Sequence, residues 1–101
     1  MSDQIMTPDD ETWDKISDQI RKRIQFTENT AYFKFPLWLT DGETYVFKEG
    51  MKKQSEEIVL QKVLSILKMT EADQNDPIGN IVFKGLQEPG ARARFYREIG
   101  A

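Results

Sequence analysis

Residues 31–50 read AYFKFPLWLTDGETYVFKEG, and the fold turns on how this stretch pairs with itself. Residues 32–39 alternate strictly between two kinds of side chain, while residues 44–48 are rich in β-branched and aromatic residues that suit a pleated surface. Asp41-Gly42 lies between them, a dipeptide that tolerates the positive φ of a tight type I′ turn. A two-residue turn there predicts a hairpin register. Thr40 faces Glu43, Leu39 faces Thr44, Trp38 faces Tyr45, Leu37 faces Val46 and Pro36 faces Phe47. A slip of one residue exchanges the faces of a strand, so the register decides what is core.

The two faces differ in chemistry. One carries Phe33, Phe35, Leu37, Leu39 and Val46, and reads as core. The other carries Tyr32, Lys34, Pro36, Trp38, Tyr45 and Phe47, an aromatic set with polar handles. Either a helix covers this second face or it stays open, and an open aromatic patch marks an interaction site. Pro36 cannot donate to a ladder, which places it on an edge strand or at a bulge. That edge either accepts a strand from another chain or carries proline to prevent such pairing, and the second reading is favoured.

The chain of 101 residues is one domain long, and 39% hydrophobic residues suffice for one modest core. Residues 1–6 read as a flexible tail and residues 7–101 as a single α+β domain. Cysteine and histidine are both absent. No disulfide framework, thiolate chemistry or ordinary zinc site is therefore available, and the commonest general acid/base near neutral pH is missing. The net charge is −3: residues 1–50 hold 6 basic and 10 acidic residues, and residues 51–101 hold 8 and 7. That balance disfavours non-specific nucleic-acid or membrane-surface binding, which requires a basic footprint. No apolar run spans a membrane and no signal-peptide core is visible, so the expected location is cytoplasmic.

In chain order, Thr7-Pro8-Asp9-Asp10 predicts a helix start, with a capping hydroxyl and proline in the first turn. This helix is expected over residues 8–24, with Trp13, Ile16, Ile20 and Ile24 as its apolar stripe; the basic triplet Arg21-Lys22-Arg23 complements its dipole. A short connection follows, with a turn at Glu28-Asn29. After the hairpin, a second helix is expected over residues 55–69, capped by Ser55 and broadly apolar. Residues 70–80 read as a polar loop. Asp73, Asn75 and Asp76 lack the glycine and terminal glutamate of a calcium loop, and no metal is expected there. Residues 81–84 predict a third short strand, placed beside strand 44–48 because of Pro36. A terminal helix is expected over residues 91–99, with Ala91, Phe95 and Ile99 inward and Arg92, Arg94 and Arg97 around the rest.

The expected fold is thus α+β in the order α-β-β-α-β-α, with helices packed on a three-stranded, mainly antiparallel sheet. No glycine-rich phosphate loop, nucleophile elbow or paired metal ligands occur, so the expected function is non-enzymatic and needs no cofactor. The first functional reading is a protein-interaction module of regulatory, inhibitor or accessory-subunit type. Its partner-binding residues are Tyr32, Lys34, Trp38, Tyr45 and Phe47, with Arg92, Arg94 and Arg97 nearby, since aromatics and arginine dominate binding hot spots. The partner is another protein or a second copy of the chain. The alternative is single-stranded nucleic acid, its bases stacked on Tyr32, Trp38, Tyr45 or Phe47 and its phosphates met by Lys34, Lys84 and the arginines.

Overall fold

The computed structural model of the protein describes residues 9–42 and 44–101; the expected tail, Thr7, Pro8 and Glu43 lie outside them. The elements in order are α1 (Asp10–Arg23), β1 (Gln25–Phe26), β2 (Thr30–Phe35), α2 (Leu37–Thr40), β3 (Thr44–Glu49), α3 (Lys52–Leu67), α4 (Pro77–Leu86) and α5 (Ala91–Glu98). The three strands form one antiparallel sheet in the order β1-β2-β3, with helices packed on it, so the α+β class holds.

The central hairpin forms, but its register differs from the expected one by four residues. Phe35 faces Thr44, Lys34 faces Tyr45, Phe33 faces Val46 and Tyr32 faces Phe47. The four extra residues are the one-turn helix α2, which begins after Pro36. Proline offers no N–H to extend a ladder and its φ of −63° suits the residue before a helix. At the other end Asp41 takes a left-handed conformation, φ 54° and ψ 37°, and closes the turn. Asp-Gly does supply a positive φ here, but as the end of a helical turn. The hydroxyl of Thr40 donates to the Pro36 carbonyl and to that of Gly42.

An even shift leaves the faces of the strands themselves unchanged. Phe33, Phe35 and Val46 are buried as expected, and Tyr32, Lys34, Tyr45 and Phe47 share the opposite face. Residues 37–39 are no longer strand. Leu37, expected in the core, is 59% exposed, whereas Leu39 is buried on the inner side of α2.

The third strand is β1, not residues 81–84. Thr27 donates its N–H to the Thr30 carbonyl at 2.8 Å, so the turn expected at Glu28-Asn29 joins β1 to β2. The sheet grows on the side of β2 away from β3, the reverse of the expected placement. Pro36 exerts no constraint on this choice because it follows the last residue of β2. Residues 81–84 lie within α4, which is capped by Asp76 and has Pro77 in its first turn. Val82 and Leu86 are buried four residues apart, with Ile78 packed beside them, while Ile81 faces outward. Gly85 lets α4 approach α2, since a Cβ there would meet the backbone carbonyl of Leu39.

Helix α3 crosses the inner face of the sheet and carries Val59, Leu60, Val63, Leu64, Ile66 and Leu67 into the core. It starts three residues before the expected cap. Met51 occupies the cap position, and Ser55 lies buried on the inward side with no partner for its Oγ among the described residues. Ile16 and Ile20 of α1 are fully buried in the same core, and α1 packs against α3. Asp9 caps α1 by accepting from the Thr12 N–H at 2.8 Å, which holds its carboxyl below the usual range. The terminal helix is as expected: Ala91, Phe95 and Ile99 point inward, and the Phe95 ring lies 5.8 Å from that of Phe35.

Candidate partner-binding surface

Strand alternation carries Tyr32, Tyr45 and Phe47 to the sheet face opposite α3. Their rings form a triangle, with Tyr32 5.7 Å from both Tyr45 and Phe47, and Tyr45 5.1 Å from Phe47. None of the three belongs to the core cluster or packs against it. Phe47 is 56% exposed and both tyrosines are half-buried. Tyr32 donates its hydroxyl to Gln25 on β1 at 3.0 Å, which fixes the ring. Lys34, directly opposite Tyr45 in the ladder, is exposed. Of the two readings of this face, the open one holds for Tyr32, Tyr45 and Phe47 among the described residues.

Trp38 does not join this triangle. With residues 37–40 helical, it leaves the Tyr45 pairing and packs partly against the core from α2. Its indole N–H donates to Glu98 at 2.9 Å, and the Arg94 guanidinium stacks 4.0 Å from its ring. Arg94 in turn bonds the second carboxylate oxygen of Glu98 at 3.1 Å. The Trp38 hydrogen bond first, with Arg94 and more weakly Arg97, holds the Glu98 carboxyl below its ordinary range against the opposing effect of burial.

The eight candidate residues therefore fall into separate places. Tyr32, Tyr45 and Phe47 are together with Lys34 at their margin; Trp38 and Arg94 form a second group at the end of α5. Arg97 is exposed on α5. Arg92 is turned into the fold, donating to the Leu67 carbonyl at 2.8 Å and to the Tyr96 hydroxyl at 3.1 Å. Burial raises the Tyr96 phenol above its ordinary value, although the charge and hydrogen bond of Arg92 pull the other way. Lys84 stands on α4.

Two residues outside the expected partner-binding set complete the second group. Glu98 anchors Trp38 and Arg94, and the Arg94–Glu98 spacing of four residues is a visible helical pair. Arg23, at the end of α1, donates to the Glu98 backbone carbonyl at 3.1 Å. No local signal marks Arg23, because α1 and α5 meet only in the fold. Arg21, from the same basic triplet, is held by Glu56 and Glu57 of α3 at 2.9 and 2.8 Å, and both carboxylates raise its pKa.

Between these groups lies a groove of about 540 Å³. Leu37, Pro36 and Trp38 offer its accessible apolar surface, the buried Phe33, Phe35, Phe95 and Ile99 lie beneath it, and Arg23 and Lys34 bring positive charge. Elsewhere the polar loop before α4 is tied to itself. Asp73 accepts from Asn75 N–H at 2.9 Å, Asn80 bonds the Asp73 backbone, and Asp76 caps α4 through Gly79 N–H at 2.9 Å. Among the described residues no group of three or more acidic side chains is placed to hold a metal ion, and no helix is long and apolar enough to cross a membrane.

Comparison of the chain with protein-family models, with curated proteins and with solved structures gives no match.

Proposed function

We propose that this chain is a non-enzymatic protein-interaction module of the regulatory, inhibitor or accessory-subunit kind, docking a protein partner on the Tyr32/Tyr45/Phe47 face and the arginine-bearing side of α5. The observation that carries this reading is the three-ring cluster on the sheet face that, among the described residues, lies outside the hydrophobic core. Rigid aromatic rings already packed on each other lose little entropy on binding and supply most of the contact energy of typical interfaces. Water covers this apolar surface in the free chain, and a partner that displaces it gains the hydrophobic term.

Single-stranded nucleic acid is the second reading, favoured by the same rings with Lys34 beside them. The chain's net charge of −3 weighs against it. The test is affinity capture from the host with tagged wild type and with a Tyr45→Ser/Phe47→Ser variant, across a salt series. A defined polypeptide retained by the wild type and lost from the folded variant is the expected result. Retention of nucleic acid with a steep dependence on salt supports the second reading, and equal capture by both proteins overturns the first.

A further inference from the structure

The groove beside β2 exists because β1 is short. β1 pairs only with Ala31 and Tyr32, so among the described residues no strand covers the edge of β2 over residues 33–35. That edge is nonetheless a poor place to add a strand. Pro36 has no N–H, and its carbonyl already accepts from Leu39 N–H at 3.1 Å and the Thr40 hydroxyl at 3.3 Å. A ladder needs alternating donors and acceptors along several residues, and here it ends at once. An occupant of this groove must therefore be held through side chains.

Charge then selects its chemistry. Among the described residues Glu98 is the one acidic residue lining the groove, and its carboxylate is already bonded to Trp38 and Arg94. Arg23 donates to a neutral backbone carbonyl, a bond that leaves its positive charge for a carboxylate. Lys34 lines the same groove, and Arg94 and Arg97 flank it on α5. In a chain of net charge −3 this end of the molecule is locally cationic. The volume, about 540 Å³, is in the range of side-chain and ligand pockets, and most of its surface is apolar.

We propose that this groove receives one bulky apolar side chain from an acidic segment of a protein partner, with Arg23 meeting a carboxylate that flanks that side chain. The proposal rests on the protein-interaction reading above and adds a second contact and the chemical class of the partner segment. The apolar group lies against Leu37, Pro36 and Trp38, which cover the buried Phe35 and Ile99, and the carboxylate fixes its direction of entry.

Two indoles make the test direct. Trp38 lines the groove, whereas Trp13 lies beside Tyr96 and under Lys68, outside it. The probe is a capped pentapeptide of one phenylalanine between two pairs of glutamates, titrated while both indole N–H resonances are recorded. The expected result is a saturating shift of the Trp38 resonance with an unmoved Trp13, at a dissociation constant below about 1 mM. Arg23→Glu weakens the probe about tenfold or more and Arg23→Gln weakens it less, a charge-dependent order that a folding defect does not produce. A counterpart with lysine in place of glutamate should leave Trp38 unmoved. No shift with the acidic probe, equal shifts with both peptides, or tighter binding of a thymidine oligomer each overturn the proposal. Phe47→Ser separates the two claims. If it leaves partner capture intact while the peptide still moves Trp38, the face is wrong and the groove stands; if capture depends on Phe47 but Trp38 never shifts, the groove alone is wrong.

Discussion

Arg92 and Arg94 lie two positions apart on α5, so helical geometry points them to nearly opposite sides. Arg92 satisfies the Leu67 carbonyl at the end of α3 and holds the Tyr96 hydroxyl. Arg94 lies over Trp38 at the surface. In sequence they look alike, because the partner that distinguishes them sits 25 residues away in another helix. Urea unfolding should show Arg92→Ala losing about 1.5–3 kcal/mol, the range of hydrogen bonds involving charged groups, and Arg94→Ala losing less. Asp76 is another residue whose place only the fold reveals. Burial alone would raise its carboxyl, but the Lys62 ammonium at 2.6 Å and the Gly79 N–H outweigh that and lower it below 3.8. A depressed folded value contributes stability above pH 3.8, lost as the pH falls through the folded value. Asp76→Asn should therefore cost about 1 kcal/mol at pH 7 and flatten the acid limb of a stability profile below pH 5.

At the scale of elements, α1, α3 and α5 were legible because their apolar spacing or their inward set is long enough to establish a period. Residues 81–84 were not. An apolar run of three residues fits a strand or a buried helical turn equally, and only the Asp76-Pro77 cap upstream distinguishes them. Asp41-Gly42 misled for a related reason: a left-handed residue ends a helical turn as readily as it makes a hairpin. Leu37 and Leu39 test this directly, since in a strand both would face the core. With α2 in place, Leu39→Ala should cost about 2–5 kcal/mol, while Leu37→Ser should change stability by less than about 0.5 kcal/mol. Ser55 offers a similar contrast. As a cap its loss would cost about 1 kcal/mol. Buried without a bond to its Oγ, it should be replaced by alanine at no cost, or with a gain in melting temperature.

At the scale of the whole molecule, the described helices crowd one side of the sheet, and among the described residues the other side carries Tyr32, Tyr45, Phe47 and Lys34. The alternation within 32–35 and 44–48 made that division readable, and it survived because the register moved by an even number of residues. The place of Trp38 did not survive, since one helical turn removes it from the strand pattern altogether. On the proposed reading the open rings are kept for a partner while the fold is held from the other side. The most direct test is calorimetric titration of the captured partner into wild type and Phe47→Ser, with both proteins shown to be folded. The predicted result is at least about thirtyfold weaker binding by the variant, the size of a hot-spot loss of about 2 kcal/mol. An affinity within twofold of the wild type would contradict the claim that this face is where the partner docks.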